Sequence, residues 1–305
     1  MAGGTITTGS HPKALWPGIH AWWGQIYNEH KMEHPDLYEI EDSSQAYEED
    51  VQVTPFGLAP VKPEGGSITY DTETQGPVQR YTHIAYALGY KVTFEELRDN
   101  LYEVVSMRRA KANAFSIYQT VENIGAAVYN DAFTGAVFTF ADGQPLASAS
   151  HVNTTGGTYS NLFSAADLSE ASIEDACVQI MGAQNDRGLL VNIMPMSLHV
   201  PRQEWFNANR ILKSVLSPDN AGNALNVLKA TNSIPKGIKL NHYFTSAHAW
   251  FIRTDCPNGM HMFWRDRPIF DQDNDFDSKN AKAATYFRMS VGGTDPRSIY
   301  ANNAP

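Results

Sequence analysis

The pattern with the clearest chemical meaning is a histidine and glutamate set near the N-terminus. His30, Glu33 and His34 have the spacing H-x-x-E-H, in which two histidines one helical turn apart bind zinc and the glutamate activates water. A zinc metallopeptidase is therefore one interpretation of the chain. However, Pro35 is expected to end the short helix there, which leaves the set without a core to supply a third ligand. We expect an exposed polar helix end without metal.

A second candidate for metal binding is a ladder of alternating aspartates: Asp271, Asp273, Asp275 and Asp277. The ladder begins like an EF-hand calcium loop, which requires glycine at its sixth position and glutamate at its twelfth. This chain has Phe276 and Lys282 at those positions. The pattern therefore predicts a solvated turn between two strands.

Other catalytic signatures are missing from the sequence. There is no G-x-S-x-G elbow, no G-x-x-x-x-G-K phosphate loop and no G-x-G-x-x-G turn. Several histidines are scattered without partners at productive spacing and are predicted to be ordinary structural or surface residues: His83, His151, His199, His242 and His248. We expect no catalytic residues, no cofactor and no metal, so the chain is predicted not to be an enzyme.

The amino-acid composition excludes several classes of protein. Only 18% of the 305 residues are charged, against about 25% in a typical soluble domain, and a surface low in charge indicates burial against neighbours. The net charge of −10 argues against tight binding of a phosphate backbone. Cys177 and Cys256 lie far apart and are predicted to be reduced thiols. Neither a signal peptide nor an apolar run long enough for a membrane span is present, so no membrane partner is expected.

The N-terminal third predicts an arm and a projection. Apolar residues recur at helical spacing from Pro17 to His34, and the following acidic stretch leads into an extended segment. Prolines and glycines then exclude a helix between Pro55 and Pro77. The flanks, 67–70 and 79–90, have strand composition and predict a long two-stranded projection. Because isolated hairpins are only marginally stable, this projection needs a partner to lie on.

The rest of the chain predicts an α+β architecture. Thr93 and Glu96 form a capping box that starts a long helix over 94–130, which spans about 54 Å at the helical rise. A loop follows over 134–164. In the second module, apolar spacing predicts helices that begin near 173 and 201. Strands are predicted at 189–194, 198–200, 238–244, 250–253, 260–265, 283–291 and 298–301.

Several short motifs in this order resemble the major capsid proteins of tailed bacteriophages, which have the HK97-like fold. The motifs are 55–57 (PFG), 88–93 (LGYKVT), 122–133 (ENIGAAVYNDAF), 142–146 (DGQPL), His151, 159–161 (YSN), 198–201 (LHVP), Ala208, 211–212 (IL) and 294–297 (TDPR). The resemblance covers nearly the whole chain.

The resemblance implies an α+β capsid fold with a defined order of parts. These are an N-terminal arm (1–48), an extended E-loop hairpin (49–90), a P-domain (91–165) with a spine helix (94–130), an A-domain (166–261), returning P-domain strands (262–292), and a C-terminal strand and tail (293–305). It implies E-loop contacts with a neighbouring subunit, for which the candidates are Leu58, Val61, Lys62, Glu64, Ile68 and Tyr70.

The function implied is self-assembly into hexamers and pentamers of an icosahedral head. This head would enclose double-stranded DNA without sequence-specific binding and would form in the cytoplasm of a bacterial host. A separate scaffolding protein, a portal and decoration proteins are possible partners. An encapsulin-like compartment shares the fold and is the nearest alternative, with the zinc peptidase as the alternative from another class.

Overall fold

The structure is a computed structural model that describes residues 31–99, 102–216, 225–278 and 280–304. The predicted N-terminal helix lies outside the described residues up to position 30, and His30 lies outside them too. Within the described ranges no helix is both long and apolar enough to cross a membrane.

The secondary structure mixes helices and strands along the chain, as the predicted α+β class requires. The helices are α1 (His34–Leu37), α2 (Phe94–Asp99), α3 (Tyr102–Asn130), α4 (Glu170–Met181), α5 (Trp205–Lys213) and α6 (Val227–Ala230), with a short 3-10 helix at Pro296–Ser298. The strands are β1 (Glu39–Asp42), β2 (Tyr47–Val53), β3 (Gln75–Thr82), β4 (Ile84–Val92), β5 (His151–Val152), β6 (Thr158–Tyr159), β7 (Pro195–Pro201), β8 (Ile238–Asn241), β9 (Trp250–Thr254), β10 (Met260–Asn274), β11 (Ala281–Gly293) and β12 (Ile299–Asn302).

One four-stranded sheet is built around the long hairpin of β10 and β11. Its strand order is β1-β10-β11-β4, with β1 parallel to β10 and the other pairs antiparallel. Helix α3 packs along β11, where Phe287 and Met289 are fully buried. A buried asparagine also ties the helix to the sheet, since Asn113 donates to the Leu88 carbonyl at 2.9 Å and accepts from the Thr285 hydroxyl at 2.5 Å.

A second four-stranded sheet has the order β12-β9-β7-β8. Strand β7 is parallel to β8 and antiparallel to β9. Because neighbouring side chains of a strand point to opposite faces, Trp250 and Ile252 pack in a core with α4 and α5, while Phe251 packs in the other core with Tyr129 of α3. The C-terminal end of α3 therefore lies against the face of this sheet opposite α4 and α5.

The predicted projection differs from the observed one. The segment 67–70 forms no strand, and the predicted strand over 79–90 is two strands, β3 and β4. The break falls at His83, whose ring is buried between the hydroxyls of Ser43 and Ser290 at 3.0 Å each. Beyond this residue the chain leaves β2, the partner of β3, and joins β11 instead. Strand composition alone cannot reveal a change of partner.

Two further details differ from what the sequence suggests. Pro35 lies in the first turn of a separate short helix, α1, whereas the helix that it was predicted to end lies outside the described residues; its missing N–H costs nothing at that position. The predicted strand over 189–194 pairs only through an isolated bridge from Leu190 to Gln184.

The predicted long helix is described on both sides of residues 100–101, which lie outside the described residues. Thr93 accepts a hydrogen bond from the Glu96 amide at 3.3 Å, as a helix cap should. The buried Glu96 carboxylate is hydrogen-bonded to Arg109 of α3, so the two helices are joined by an ion pair.

We expect Ala112→Pro to disrupt α3. Proline at this exposed helical position removes a backbone hydrogen bond and clashes with the preceding turn, at a cost of about 3 kcal/mol or more. The variant should be insoluble or should melt at a much lower temperature by circular dichroism. Ala112→Ser is the matched control and should melt near the wild type, and an unchanged melt for the proline variant would contradict the helix.

Candidate intersubunit interface

Several highly exposed apolar side chains lie in a long loop between β2 and β3. In this extended loop, residues 54–74, Val61 is 95% exposed, Tyr70 89% and Leu58 81%. Ile68, Lys62 and Glu64 are exposed as well, so all six sequence-predicted contact residues lie on one projecting segment. Several large apolar side chains exposed on one segment make it the candidate interaction site.

Hydrogen bonds close the base of the extended loop. The Thr54 amide donates to the Thr74 carbonyl at 3.0 Å. Asp71 accepts from the Gly57 amide at 2.8 Å and from the Arg187 guanidinium at 2.7 Å. The hydrogen bonds from the Gly57 and Thr72 amides, followed by that from Arg187, lower the pKa of Asp71. These bonds hold the two ends of the loop together, while Leu58, Val61, Ile68 and Tyr70 between them stay exposed.

The residues of the zinc pattern that are described serve a structural role. Contrary to the expected exposed helix end, His34 is buried, and its Nδ1 lies 2.6 Å from Glu122 of α3. The backbone amides of Glu33 and His34 also donate to the Glu122 carboxylate at 3.1 and 3.0 Å. The Glu33 carboxylate in turn accepts from the His242 amide and contacts the His242 ring. The pattern therefore anchors the chain to α3.

The aspartate ladder is split between a strand and a turn. Asp271 and Asp273 belong to β10, while Asp275 and Asp277 lie in the turn before β11. Asp275 pairs with Lys282 at 2.7 Å. Within the described ranges, no group of three or more histidine, cysteine or carboxylate side chains is arranged to hold a metal ion.

The 142–161 motif forms a buried polar network. His151 is fully buried, with Nδ1 at 2.8 Å from Asp142 and Nε2 at 3.1 Å from Asn161. Burial opposes the ionisation of Asp142, but the bonds from His151 and the Gln144 amide outweigh it and lower the pKa of Asp142. The Asn161 amide group donates to three carbonyls, those of Leu146, Pro296 and Ile299. Both histidine nitrogens are occupied, so the network fixes loops and offers no free base.

Arg297 forms a second buried cluster beside that network. It donates to Asp186 at 2.8 Å, to Asn153 at 3.1 Å and to the Gln184 carbonyl at 2.7 Å. Its guanidinium also lies over the ring of Tyr159, 4.2 Å from the centroid. Burial disfavours the charge of Arg297, but Tyr159 and the neighbouring carboxylates raise its pKa above its usual range. Sequence analysis missed this role, for which the only signal was the TDPR motif.

Comparison with known proteins identifies the family. The family described as phage capsid protein matches residues 77–302, well over half of the chain. The chain belongs to this family. No curated protein sequence matches, whereas many solved structures do.

Solved capsid structures share the fold at low identity. The mycobacterium phage Patience chain aligns with a TM-score of 0.56 at 12% identity, covering 99% of this chain and 90% of that one. The capsid of Myoviridae phage XM1 aligns at 0.52 and 10%, covering 87% and 90%. A virus-like particle from Pyrococcus furiosus aligns at 0.50 and 8%, covering 93% and 96%. The chain is a major capsid protein with the HK97-like α+β fold.

We expect Asn161→Ala to destabilise this capsid protein by about 3 kcal/mol, because it leaves several buried partners without a hydrogen bond at about 1–3 kcal/mol each. Urea unfolding of the unassembled subunit would measure the loss. Asn123 is exposed on α3, so Asn123→Ala is the control and should change stability by no more than about 0.5 kcal/mol. Equal midpoints for the two variants would contradict a structural network.

The buried ring of His199 predicts a dependence of stability on pH. Burial, followed by the nearby charges of Arg253 and Lys239, lowers the pKa of His199 to about 3. Below its ordinary pKa of about 6.5, the unfolded chain therefore binds a proton that the folded chain does not, and stability falls as the pH drops.

We expect the wild-type subunit to lose about 2 kcal/mol more than His199→Gln between pH 7 and pH 5. Denaturant unfolding at both pH values would measure the difference. The wild type and the variant have the same carboxylates, so the pH-dependent contributions of these groups to stability cancel in the difference. Identical losses would show that His199 is protonated in the folded state.

Proposed function

We propose that this capsid protein assembles into hexamers and pentamers of a closed icosahedral head around double-stranded DNA. The observation that carries the proposal is the extended loop, whose apolar side chains have no cover in their own subunit. Membership of the phage capsid family supports it. A subunit that exposes such a segment is complete only when a neighbour covers it, and we assign this role to Leu58, Val61, Ile68 and Tyr70.

The further parts of the proposal follow from charge and from the family. A net charge of −10 supports enclosure of DNA without sequence-specific binding. We place the protein in the virion, with assembly in the cytoplasm of the bacterial host, where scaffolding, portal and decoration proteins are its possible partners. Catalysis is not part of this role, and the engagement of Glu33 and His34 in hydrogen bonds argues against the peptidase alternative.

An encapsulin-like compartment is the second candidate, because a virus-like particle from Pyrococcus furiosus has a similar fold. Electron microscopy of the purified protein would test both, since each requires closed shells. The nucleic acid content of particles from the natural source separates them: packaged double-stranded DNA supports a phage head, and an enzyme cargo without a genome supports a compartment. A monodisperse small soluble protein would refute both.

Replacing residues 58–70 by a short Gly/Ser linker should separate folding from assembly. The deleted part lies beyond the bonds of Asp71 and Thr54 that close the base of the loop, and shortening a loop changes its closure entropy only modestly. We expect a soluble protein with a cooperative melt close to that of the wild type. On size exclusion it should remain a small oligomer.

A second variant tests whether apolar contact is what the loop supplies. Substituting serine for Leu58, Val61, Ile68 and Tyr70 together keeps the length and reach of the loop. This variant should also fail to build shells. Closed shells from either variant would show that the loop is not an assembly arm, and outright unfolding would place it in the core of its own subunit.

A further inference from the structure

Helix α4 carries an exposed acidic face with an apolar centre. Its inner side contributes Ile173, Ala176, Cys177 and Ile180 to the core. On its outer side Glu174 and Asp175 are exposed next to Val178, which is 66% exposed, and Met181. Neither carboxylate forms an ion pair with another described residue of the subunit. We call Glu174, Asp175, Val178 and Met181 the acidic face.

Helix α5 carries the complementary surface. Ala208 and Ile211 face the core, whereas Phe206 is 77% exposed and lies one helical turn from Arg210. Arg202 and Lys213 extend the positive charge at either end, and their side chains and that of Arg210 pair with no carboxylate in the described ranges. We call Arg202, Phe206, Arg210 and Lys213 the basic face.

The acidic residue nearest to the basic face is already engaged. Glu204 accepts from the Asn207 side chain at 3.0 Å and contacts His248 at 3.1 Å. Lys229 of α6 lies at the end of α5, because its ammonium group donates to the Lys213 carbonyl at 2.7 Å. The basic face therefore keeps its positive charge.

The two helices pack side by side on the same face of the second sheet. Both contact β7, and α5 also contacts the edge strand β8. Helix α4 extends toward the other edge, where its Gln179 side chain donates to the Ser160 carbonyl at 3.5 Å, close to Leu162, which bridges to Ala301 of β12. A subunit with opposite charges toward the two edges of one sheet can bind a copy of itself head to tail, and such heterologous contacts close into rings when the rotation permits.

We propose that the acidic face of one subunit binds the basic face of the next subunit around the ring of each hexamer and pentamer. Val178 and Phe206 form the apolar centre of this contact, and Glu174 and Asp175 pair with Arg210 and Lys213 around it. Aromatic and arginine side chains of this kind commonly dominate interfaces. The inference rests on the proposed shell function and names the surfaces that build its rings.

Charge reversal tests the contact directly. Glu174→Lys with Asp175→Lys makes both faces basic, and Arg210→Glu with Lys213→Glu makes both faces acidic. Each double variant should lose shells and rings by electron microscopy and size exclusion, because like charges then meet at every contact. The fourfold variant, in which both faces are reversed, should recover assembly. All the changed positions are exposed, so each variant should retain the wild-type melt.

Mixing the two double variants gives a sharper result. In a mixture, each face of one variant is complementary to the opposite face of the other, so subunits must alternate around a ring. Rings of six can alternate, whereas a ring of five must contain a contact between like charges. We expect hexameric rings or sheets from the mixture and no closed shells.

The controls separate this inference from the proposed function. Glu174→Asp with Asp175→Glu keeps the charge and should build normal shells. If the wild type builds shells and the double variants do so equally well, the ring contact is wrong while the shell function stands. Failure of the fourfold variant and of the mixture to assemble would also overturn the pairing. If the wild type itself builds no shell, the proposed function fails first.

Discussion

The packing of α3 against both sheets is the interaction on which the subunit depends. Its flank packs on β11, and its last turns reach the second sheet, where the ring of Tyr129 lies 5.2 Å from that of Phe251 and 5.6 Å from that of Phe244. Tyr129 also donates to the Leu37 carbonyl at 3.0 Å. One helix therefore joins both sheets and the N-terminal segment, so that the loops and faces used for assembly are held on a common frame.

Buried polar side chains also fix the position of α3 and the loops, because apolar packing alone does not select one arrangement of these elements. Glu122 accepts hydrogen bonds from the amides of Glu33 and His34 at the start of α1, and Asn113 joins α3 to β4 and β11. Asn161 donates to the carbonyls of Leu146, Pro296 and Ile299, which joins the loop over 142–161 to the C-terminal segment. Leaving any such buried group unpaired is costly, so alternative packings of the same apolar residues are penalised.

Sequence analysis predicted those features that depend on local periodicity. The long helix, α4, α5 and most strands of the second module are where their apolar spacing placed them, and the family followed from an order of short motifs. The sequence could not predict that the chain changes its strand partner at His83. Nor could it predict that Pro35 lies in the first turn of a separate helix. Both features depend on tertiary contacts. The H-x-x-E-H pattern illustrates this clearly. Its spacing matches that of a zinc site, but the amide of His34 donates to the carboxylate of Glu122, 88 residues further along the chain.

The candidate interface came from the family resemblance. The proline- and glycine-rich composition of the segment predicted only that it forms no helix. The structure leaves Leu58, Val61, Ile68 and Tyr70 exposed, and their contact with a neighbouring subunit stays a prediction. The charged faces of α4 and α5 are harder to detect, since exposed charges on a helix usually serve only solvation. Their significance arises when the fold places opposite charges toward opposite edges of one sheet, each beside an uncovered apolar side chain, so that a second copy of the chain supplies what each face lacks.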